Sequence, residues 1–183
     1  MRVIAGLYKG RTLTTVNDHT VRPATDRVKQ TIFDMLTTRL PFDGSTVLDL
    51  FAGSGSLGIE ALSRGAAHVT FVELSATASE CIERNLQMLR CEEMADVFEM
   101  DALQFVRKSR TPFDLIFADP PYVFESTTDL PLEILSRNLL TPGGYLIIEH
   151  ARDVRFAPSA LFRNGPQKRF GRTVVSFFQT APA

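Results

Sequence analysis

The sequence predicts an α/β protein with a doubly wound, mostly parallel sheet, a small N-terminal extension of hairpin and helix, and an antiparallel C-terminal strand. Apolar runs of strand length alternate strictly with helical stretches between Thr46 and Glu149, and parallel strands require such crossovers. The first apolar run ends in a glycine-rich turn that opens a helix. After Glu149 the alternation stops, and residues 168–179 indicate a turn and an apolar strand at or near one edge of the sheet.

The N-terminal extension covers residues 1–40. Residues 2–16 favour a short hairpin, and a loop then enters a helix for which Thr25 or Asp26 is the predicted N-cap. Arginines near a helix N-terminus suit a phosphate group, although such side chains are often only solvated. The candidate phosphate-binding residues of this extension are Arg2, Lys9, Arg11, Arg22, Arg27 and Lys29.

Residues 41–183 are expected to form the sheet domain, in which strands and helices alternate. The predicted strands cover residues 46–51, 68–73, 95–100, 113–118 and 144–149. The predicted helices between them cover residues 56–64, 75–90, 102–109 and 130–139. Ligands of such sheets lie outside the carboxyl ends of the strands, where the strand order reverses. The ends of the predicted strands are therefore the places to look for chemistry.

The glycine turn after the first strand predicts a site for a small molecule that contains a nucleoside. Gly53 and Gly55 let the backbone approach a ligand closely, and the following helix offers unpaired N–H groups at its start. The spacing Gly53-x-Gly55-x-x-Gly58 also satisfies the dinucleotide fingerprint, so the glycines alone do not identify the ligand. Asp49 would repel a pyrophosphate and favours an ammonium or sulfonium group. S-adenosylmethionine carries both of these cations and no phosphate.

Further acids stand at the ends of the later strands. Glu73 ends the second strand, where nucleotide-binding sheets use an acid to hold ribose hydroxyls. Asp101, which precedes Ala102, follows the third strand and could accept an adenine amino group. Asp119 ends the fourth strand. One such acid is more often a helix N-cap than a ligand contact, but four in register with a glycine turn favour a binding site.

The motif Asp119-Pro120-Pro121-Tyr122 predicts methylation of an exocyclic amine. Two prolines hold the backbone after the strand, so the Asp119 carboxylate and the Pro120 carbonyl are fixed in place. If they accept the two N–H bonds of a base amine, the nitrogen lone pair becomes available for attack on a sulfonium methyl group. Tyr122 offers a flat face on which an extruded base can stack. The alternative is a rigid turn with a solvent-facing tyrosine.

Composition excludes several classes of protein. No apolar run approaches the roughly 20 residues that cross a bilayer, and the N-terminus lacks the apolar core of a signal peptide. We therefore expect a cytoplasmic protein without membrane contact. Cys81 and Cys91 have no metal-binding spacing and the three histidines are scattered, so neither a metal site nor a disulfide framework is predicted.

Charge is distributed unevenly along the chain, although the formal net charge is only −1. Residues 1–40 carry a net charge of +4, residues 41–149 carry −10, and residues 150–183 carry +5. If the two basic ends meet in space, they form a phosphate-attracting rim around an acidic core that suits a cationic cofactor. Charges dispersed over a solvated surface would give the same totals.

Asp49 through Gly55, together with the Asp119-Pro120-Pro121-Tyr122 motif, resembles the class I S-adenosylmethionine-dependent amino-methyltransferases, which have a Rossmann-like fold. The run from Arg22 to Phe33, with Gly58 to Ala66, looks like the bacterial small-subunit rRNA guanine-N2 methyltransferase family, the rRNA small subunit methyltransferase D type. The resemblance covers nearly the whole chain, as far as the turn at residues 169–173. It implies transfer of a methyl group to the N2 amine of a guanine in ribosomal RNA or a small ribosomal subunit, by a protein that we expect to be a monomer.

The resemblance also implies roles for individual residues. The target guanine would lie between Asp119 and Tyr122, beside Pro120 and Pro121. The residues that would hold the cofactor are Asp49, Phe51, Ala52, Gly53, Ser54, Gly55, Glu73, Leu74, Asp101 and Ala102. Ribosomal RNA would contact the basic N-terminal segment through Arg2, Lys9, Arg11, Arg22, Thr25, Arg27 and Lys29.

Three other functions remain open at the level of the sequence. The Asp-Pro-Pro-Tyr motif also suits an adenine-N6 methyltransferase, although the absence of a long insertion for target recognition counts against a DNA substrate. A nucleotide-binding or RNA-binding module without catalysis would share the glycine turn. A dinucleotide oxidoreductase fits least, because Asp49 is in the wrong place and no hydride-transfer residue is apparent.

Overall fold

The computed structural model describes residues 1–16 and 26–181, and seven strands lie within them. These are β1 Thr46–Leu50, β2 His68–Glu73, β3 Ala95–Glu99, β4 Phe113–Ala118, β5 Leu140–Ala151, β6 Phe162–Phe170 and β7 Thr173–Thr180. They form one sheet in the order β3-β2-β1-β4-β5-β7-β6. Strands β1 to β5 run parallel, whereas β7 pairs antiparallel with both β5 and β6. The order reverses between β1 and β4, so a ligand crevice is expected at their carboxyl ends.

Helices cover both faces of the sheet, as the alternating pattern predicts. Within the described residues they are α1 Asp26–Thr37, α2 Ser56–Ser63, α3 Ala76–Leu89, α4 Ala102–Lys108 and α5 Leu130–Leu135. The first three helices bury their apolar residues in one core layer, which also contains Val47, Phe71 and Phe117. Helices α4 and α5 contribute to a second layer, on the opposite face, with Leu48, Ile116 and Ile148. The fold is therefore doubly wound and mostly parallel, as predicted.

Close packing of α2 on β2 explains the third glycine of the turn. A Cβ atom at Gly58 would lie 2.3 Å from the Phe71 ring and 2.8 Å from Val69, so the helix can approach the sheet only with glycine at this position. Gly55, which precedes α2, has a φ of 78° in the left-handed region that glycine adopts without strain. These two glycines place the start of α2 at the carboxyl end of β1.

The N-terminal segment packs along α2 and shares the core of the sheet domain. Val3 and Leu13 belong to the same core layer as α1 and β1. The backbone N–H groups of Ile4 and Ala5 donate to the Glu60 carboxylate at 2.8 and 3.0 Å. A bridge between Arg2 and Thr12 gives the predicted hairpin its antiparallel form. The division of the chain at residue 40 remains a prediction about function, since both parts contribute to one core.

The structure differs from the sequence prediction mainly after Ile134. Helix α5 ends at Leu135 and β5 already begins at Leu140, whereas the predicted helix continues to residue 139. Strand β6 at the sheet edge is not predicted as a strand of its own. Because its residues are mostly exposed, the sequence of β6 has no apolar alternation that would mark a strand. Its pairing with β7 is also interrupted between Asn164 and Gln167. Its Pro166 is tolerated because an edge strand pairs on one side only.

Neither a membrane span nor a metal cluster is found within the described parts of the chain. No helix there is both long and apolar enough to cross a bilayer, and no group of three or more His, Cys, Asp or Glu side chains is arranged to hold a metal ion. Cys81 and Cys91 are both free and buried, so the two thiols are not joined in a disulfide.

Candidate active site

A cavity of about 580 Å³ opens at the carboxyl ends of β1, β2, β4 and β5, a volume typical of small-molecule sites. All four residues of the Asp-Pro-Pro-Tyr motif line it. So do nine of the ten predicted cofactor residues, namely Asp49, Phe51, Ala52, Gly53, Ser54, Glu73, Leu74, Asp101 and Ala102. Gly55 does not line the cavity and acts through the turn before α2. The fold thus brings the two sequence motifs, about 65 residues apart in the chain, into one site.

Asp49 is the most buried of the carboxyl groups in this cavity. Its residue is only 2% exposed, and its Oδ2 accepts a hydrogen bond of 2.8 Å from the Gly58 N–H in the first turn of α2. Burial raises the pKa of Asp49 to about 8, the Gly58 hydrogen bond opposes this rise, and the Glu73 carboxylate adds to it. A bound cation would compensate for the cost of ionising this group.

Glu73 is held at the end of β2 by two backbone hydrogen bonds. Its Oε2 accepts from the Gly53 N–H at 2.8 Å and its Oε1 from the Ser75 N–H at 2.9 Å. The carboxylate therefore joins the glycine turn to the loop before α3, and the side chain remains partly exposed at the cavity. Its role in holding a pair of ribose hydroxyls remains a prediction.

Asp101 serves as a helix cap and also lines the cavity. Its Oδ1 accepts a hydrogen bond of 2.9 Å from the Gln104 N–H, so it is the N-cap of α4. The cap role of this acid leaves its second carboxylate oxygen for a ligand. The neighbouring Met100 and Phe51 form an apolar part of the cavity wall. The Phe51 backbone has a φ of 57°, a strained conformation that is common at functional sites.

The Asp119-Pro120-Pro121-Tyr122 motif forms the opposite wall of the cavity. Burial raises the pKa of Asp119 well above its usual range, and the neighbouring carboxyl groups of Glu149 and Asp49 raise it further. The Pro121 carbonyl accepts the Phe124 N–H at 2.8 Å, which closes a tight turn around Tyr122. The Tyr122 residue is 56% exposed, and its hydroxyl hydrogen bonds to Thr173 Oγ1 at 2.6 Å. An exposed but anchored ring can present a flat face to a base.

The charge of the cavity favours a cationic ligand. Five carboxyl groups line it, from Asp49, Glu73, Asp101, Asp119 and Glu149, and none of its lining residues among the described ones is Lys or Arg. A pyrophosphate would find no cationic side chain among these lining residues to compensate its charge. S-adenosylmethionine fits this set, because it has two cationic groups, ribose hydroxyls for Glu73 and an adenine ring for the apolar wall.

Comparison with known proteins identifies the family. The family described as conserved hypothetical protein 95 matches residues 1–179. The ribosomal RNA small subunit methyltransferase D of Haemophilus influenzae is 41% identical over 157 residues, covering 84% of this chain and 80% of that protein. A putative rRNA methyltransferase of Bacillus subtilis is 43% identical, covering 84% of each. The chain belongs to the ribosomal RNA small subunit methyltransferase D family.

Similarity to a solved structure confirms the fold of this methyltransferase D family member. A putative methyltransferase from Escherichia coli superimposes with a TM-score of 0.84 at 29% sequence identity, and the match covers 100% of this chain and 99% of the Escherichia coli chain. The predicted class of enzyme and its cofactor, S-adenosylmethionine, are confirmed with the family. The individual roles of the site residues remain predictions.

Sequence reasoning missed Glu149 in this methyltransferase. Glu149 lies in β5, one residue after the last pair of this strand with β4, and lines the cavity beside Asp119. The signal was present, because an acid at the carboxyl end of a parallel strand is the pattern that singled out Asp49, Glu73 and Asp119. Ser75, Met100 and Phe124 also line the cavity, and no short sequence pattern marks them.

The predicted RNA-binding residues of this family member divide into four groups, the last of which is the buried Lys29. Arg2 and Arg27 are exposed, and Arg2 lies 3.9 Å from Asp26 at the start of α1. Lys9 and Arg11 are exposed near the other end of the sheet, since Arg11 donates to the Met88 carbonyl close to the end of α3. Helix α3 has 14 residues and is about 20 Å long, and Arg11 contacts the end of this helix that is remote from the cavity residue Ser75. Two further predicted residues, Arg22 and Thr25, lie outside the described ones.

The prediction that Lys29 contacts RNA is wrong. Its side chain is fully buried, and its Nζ donates to the Arg2 carbonyl at 2.7 Å and to Ser56 Oγ at 3.1 Å. The same ammonium lies 3.6 Å from Glu60 Oε2. Burial lowers the pKa of Lys29, which the Glu60 carboxylate opposes. This lysine ties α1 to α2 and is not available to a phosphate.

Proposed function

We propose that this chain transfers a methyl group from S-adenosylmethionine to the exocyclic N2 amine of a guanine in small-subunit ribosomal RNA. The observation that supports it best is the cavity in which the Asp119-Pro120-Pro121-Tyr122 motif faces the acids of the cofactor site. The names of the related rRNA methyltransferases support the ribosomal substrate. We also propose that the enzyme acts as a monomer in the cytoplasm.

The residues of the motif would prepare the amine for attack. When bound, S-adenosylmethionine supplies a methyl group on a positively charged sulfur. Asp119 and the Pro120 carbonyl would accept the two N–H bonds of the amine and so orient its lone pair. The methylated nitrogen is positively charged and strongly acidic, and it loses one proton to Asp119 or to water. The Asp119 carboxyl is suited to this step because its pKa is raised by burial and by the neighbouring acids.

The Tyr122 ring would hold the target base in the required plane. Its face is exposed while its hydroxyl is anchored to Thr173 at the start of β7. A base taken out of the RNA stack loses stacking energy, which an aromatic side chain can replace at about 1–3 kcal/mol per base. The anchor keeps the ring in place before the RNA arrives, so less entropy is lost on binding.

The decisive experiment measures transfer of labelled methyl groups to ribosomal RNA from cells that lack this protein. The RNA is offered free and within small subunits, and the products are separated as nucleosides. Label in N2-methylguanosine supports the proposal, and the better of the two substrates shows when in ribosome assembly the enzyme acts. Label in N6-methyladenosine would replace the proposed base with adenine. Absence of label with cofactor bound would contradict the proposal.

Asp119→Asn tests the role of the motif directly. The amide keeps the size of the side chain but loses the charge and one acceptor, so we expect methyl transfer to fall by about 100-fold or more. Affinity for S-adenosylmethionine, measured by calorimetry, should stay within about threefold, because the other four carboxyl groups of the cavity remain. Asp129→Asn, on an exposed residue after the motif, is the matched control. A loss of cofactor affinity with unchanged turnover would show that Asp119 has been misassigned.

A further inference from the structure

Glu149 lies beside Asp119 on the same face of the sheet. Strands β4 and β5 are parallel, and Ala118 pairs with Ile148, so the next residue of each strand is Asp119 and Glu149. The preceding pair, Phe117 and Ile147, belongs to a single core layer. Because side chains alternate along a strand, Asp119 and Glu149 point to that same face, with their strands about 4.8 Å apart. Both line the cavity.

The two carboxyl groups interact electrostatically. After burial, the Glu149 carboxyl is the largest cause of the raised pKa of Asp119, which requires the two groups to be near neighbours. Such a pair offers several acceptor oxygens and, when ionised, no donor. It is therefore matched to a ligand edge that presents several N–H donors side by side.

Guanine and adenine differ in this respect. The Watson–Crick edge of guanine presents its N1–H beside the two N–H bonds of the N2 amine. Adenine presents its N6 amine beside N1, which carries a lone pair and no hydrogen. An ionised carboxylate placed opposite N1 would thus bind guanine and repel adenine, whereas the Asp-Pro-Pro-Tyr motif alone accepts either amine.

We propose that Glu149 is a specificity-determining residue that accepts the N1–H of the target guanine while Asp119 and Pro120 hold its N2 amine. This inference rests on the proposed function, because it assumes methylation of a base amine at Asp119. It explains how a chain with a motif common to adenine and guanine chemistry selects guanine. A site built around one hydrogen bond rejects an analogue that lacks it by large factors, because a buried polar group is left unpaired.

The test uses three RNAs that differ at the modified nucleotide, once transfer to ribosomal RNA has located it. They carry guanine, adenine or 2,6-diaminopurine at that position. Diaminopurine keeps the N2 amine but has a lone pair at N1 and an amine in place of O6, so it removes the N1–H contact together with any contact to O6. The Glu149→Gln variant below attributes the loss to the N1 contact. For the wild-type enzyme we expect kcat/KM for diaminopurine to be about 100-fold or more below that for guanine. This comparison needs no substitution in the protein.

Glu149→Gln should reduce the preference of the enzyme for guanine over diaminopurine. A glutamine amide can accept the N1–H of guanine or donate to the N1 of diaminopurine, so we expect the guanine to diaminopurine ratio to fall to about ten or less. Glu80→Gln, on an exposed residue of α3, should leave the ratio unchanged. Melting temperature, cofactor affinity and RNA affinity are measured in parallel to confirm that the variant is folded.

The outcomes separate this inference from the proposed function. If the wild-type enzyme methylates guanine and diaminopurine equally well, the role of Glu149 is overturned and the proposed function stands. The inference also fails if Glu149→Gln folds and keeps the full preference. Failure of the wild-type enzyme to methylate any guanine of ribosomal RNA would instead overturn the proposed function. If Glu149→Gln does not fold, Glu149→Asp is used in its place, because the shorter carboxylate should also lose the N1–H contact and lower the ratio.

Discussion

Asp49 is the most deeply buried carboxyl group of the cavity. It is nearly inaccessible, its Oδ2 is used by the Gly58 N–H, and burial raises its pKa to about 8. Near neutral pH the carboxyl group of the ligand-free protein is therefore mostly protonated. A cationic ligand favours the ionised form, so binding of S-adenosylmethionine should release a proton from this group.

The raised pKa predicts how stability depends on pH. Unfolded, Asp49 has an ordinary pKa near 4; folded, its pKa is about 8. Between these values the folded protein holds a proton that the unfolded chain has lost, so stability decreases as pH rises from about 4 to about 8. Asp49→Asn cannot ionise and keeps an acceptor for Gly58, so this part of the slope should disappear. Denaturant unfolding at pH 5, 7 and 9 measures the difference.

The same substitution predicts a change in cofactor binding. Without the carboxylate, affinity for S-adenosylmethionine should fall about 10-fold or more, and the increase of affinity with pH up to about 8 should be lost. Asp43→Asn, on an exposed residue before β1, provides the control for both measurements. A pH profile identical to that of the wild-type protein would remove Asp49 from the cofactor site.

At the scale of elements, Glu60 joins α1, α2 and the N-terminal segment. Its carboxylate accepts from the backbone of Ile4 and Ala5 and from Arg64 Nε at 2.9 Å, and it lies 3.6 Å from Lys29 Nζ. Several donors around one fully buried carboxylate provide the compensation that a buried charge requires. The N-terminal segment is thereby attached to the helix that begins at the cofactor site.

Lys29→Met tests this structural assignment. The substitution removes one partner of Glu60, which keeps its other three donors, so we expect a loss of about 1–3 kcal/mol in the free energy of unfolding. RNA affinity of the folded protein should not change. Arg27→Met, on an exposed residue of the same helix, should instead weaken RNA binding and change the free energy of unfolding by less than about 0.5 kcal/mol. Weaker RNA binding by a fully stable Lys29→Met protein would return Lys29 to the RNA-binding set.

At the scale of the whole molecule, both basic ends border the acidic cavity. Met1, Thr15 and Val16 of the N-terminal segment line it. From the other end of the chain, Thr173 bonds to Tyr122, and the Arg172 carbonyl next to it accepts the Arg152 N–H. Segments from the two basic ends of the sequence thus lie beside the acidic cavity. This arrangement favours a cationic cofactor inside and phosphates outside.

The arrangement predicts which arginines contribute to RNA binding. Replacing Arg27 and Arg172 by alanine should weaken RNA binding and make its salt dependence shallower, by about 0.7–0.9 in the logarithmic slope for each phosphate that is no longer neutralised. Lys9→Ala with Arg11→Ala should have a smaller effect, because Arg11 contacts the Met88 carbonyl near the end of α3 remote from the cavity, and Lys9 follows Tyr8, which contacts Ser63 at the end of α2. Lys108→Ala, at the end of α4, is the control.

Titrations of RNA at several salt concentrations measure these slopes. Cofactor affinity should remain unchanged in every one of these variants, since none of the replaced side chains lines the cavity. If the Arg27/Arg172 and the Lys9/Arg11 double variants weaken RNA binding equally, the RNA-binding surface is not confined to the edge of the cavity. RNA would then contact the whole face of the molecule.

The sequence alone determined the type and order of the elements from Thr46 to Glu149, the glycine turn, and the acids at the strand ends. These are local signals: periodicity marks a helix or a strand, glycine marks a turn, and proline fixes a backbone. The bounds of β1 to β4 agree with the prediction within one residue. They fail at β5, which begins four residues before the predicted start at residue 144, and at β6, where an exposed edge strand lacks an apolar pattern.

Only the tertiary structure decided which of these residues are neighbours. The strand order brings Glu149 beside Asp119, although about 30 residues separate them in the chain, and the packing of α1 on α2 buries Lys29 against Glu60 instead of exposing it to RNA. Whether a lysine faces a phosphate or a carboxylate, and which two acids share a ligand, depends on distances across the fold. No spacing along the chain encodes those distances, because they are set by strand pairing and by the packing of helices on the sheet.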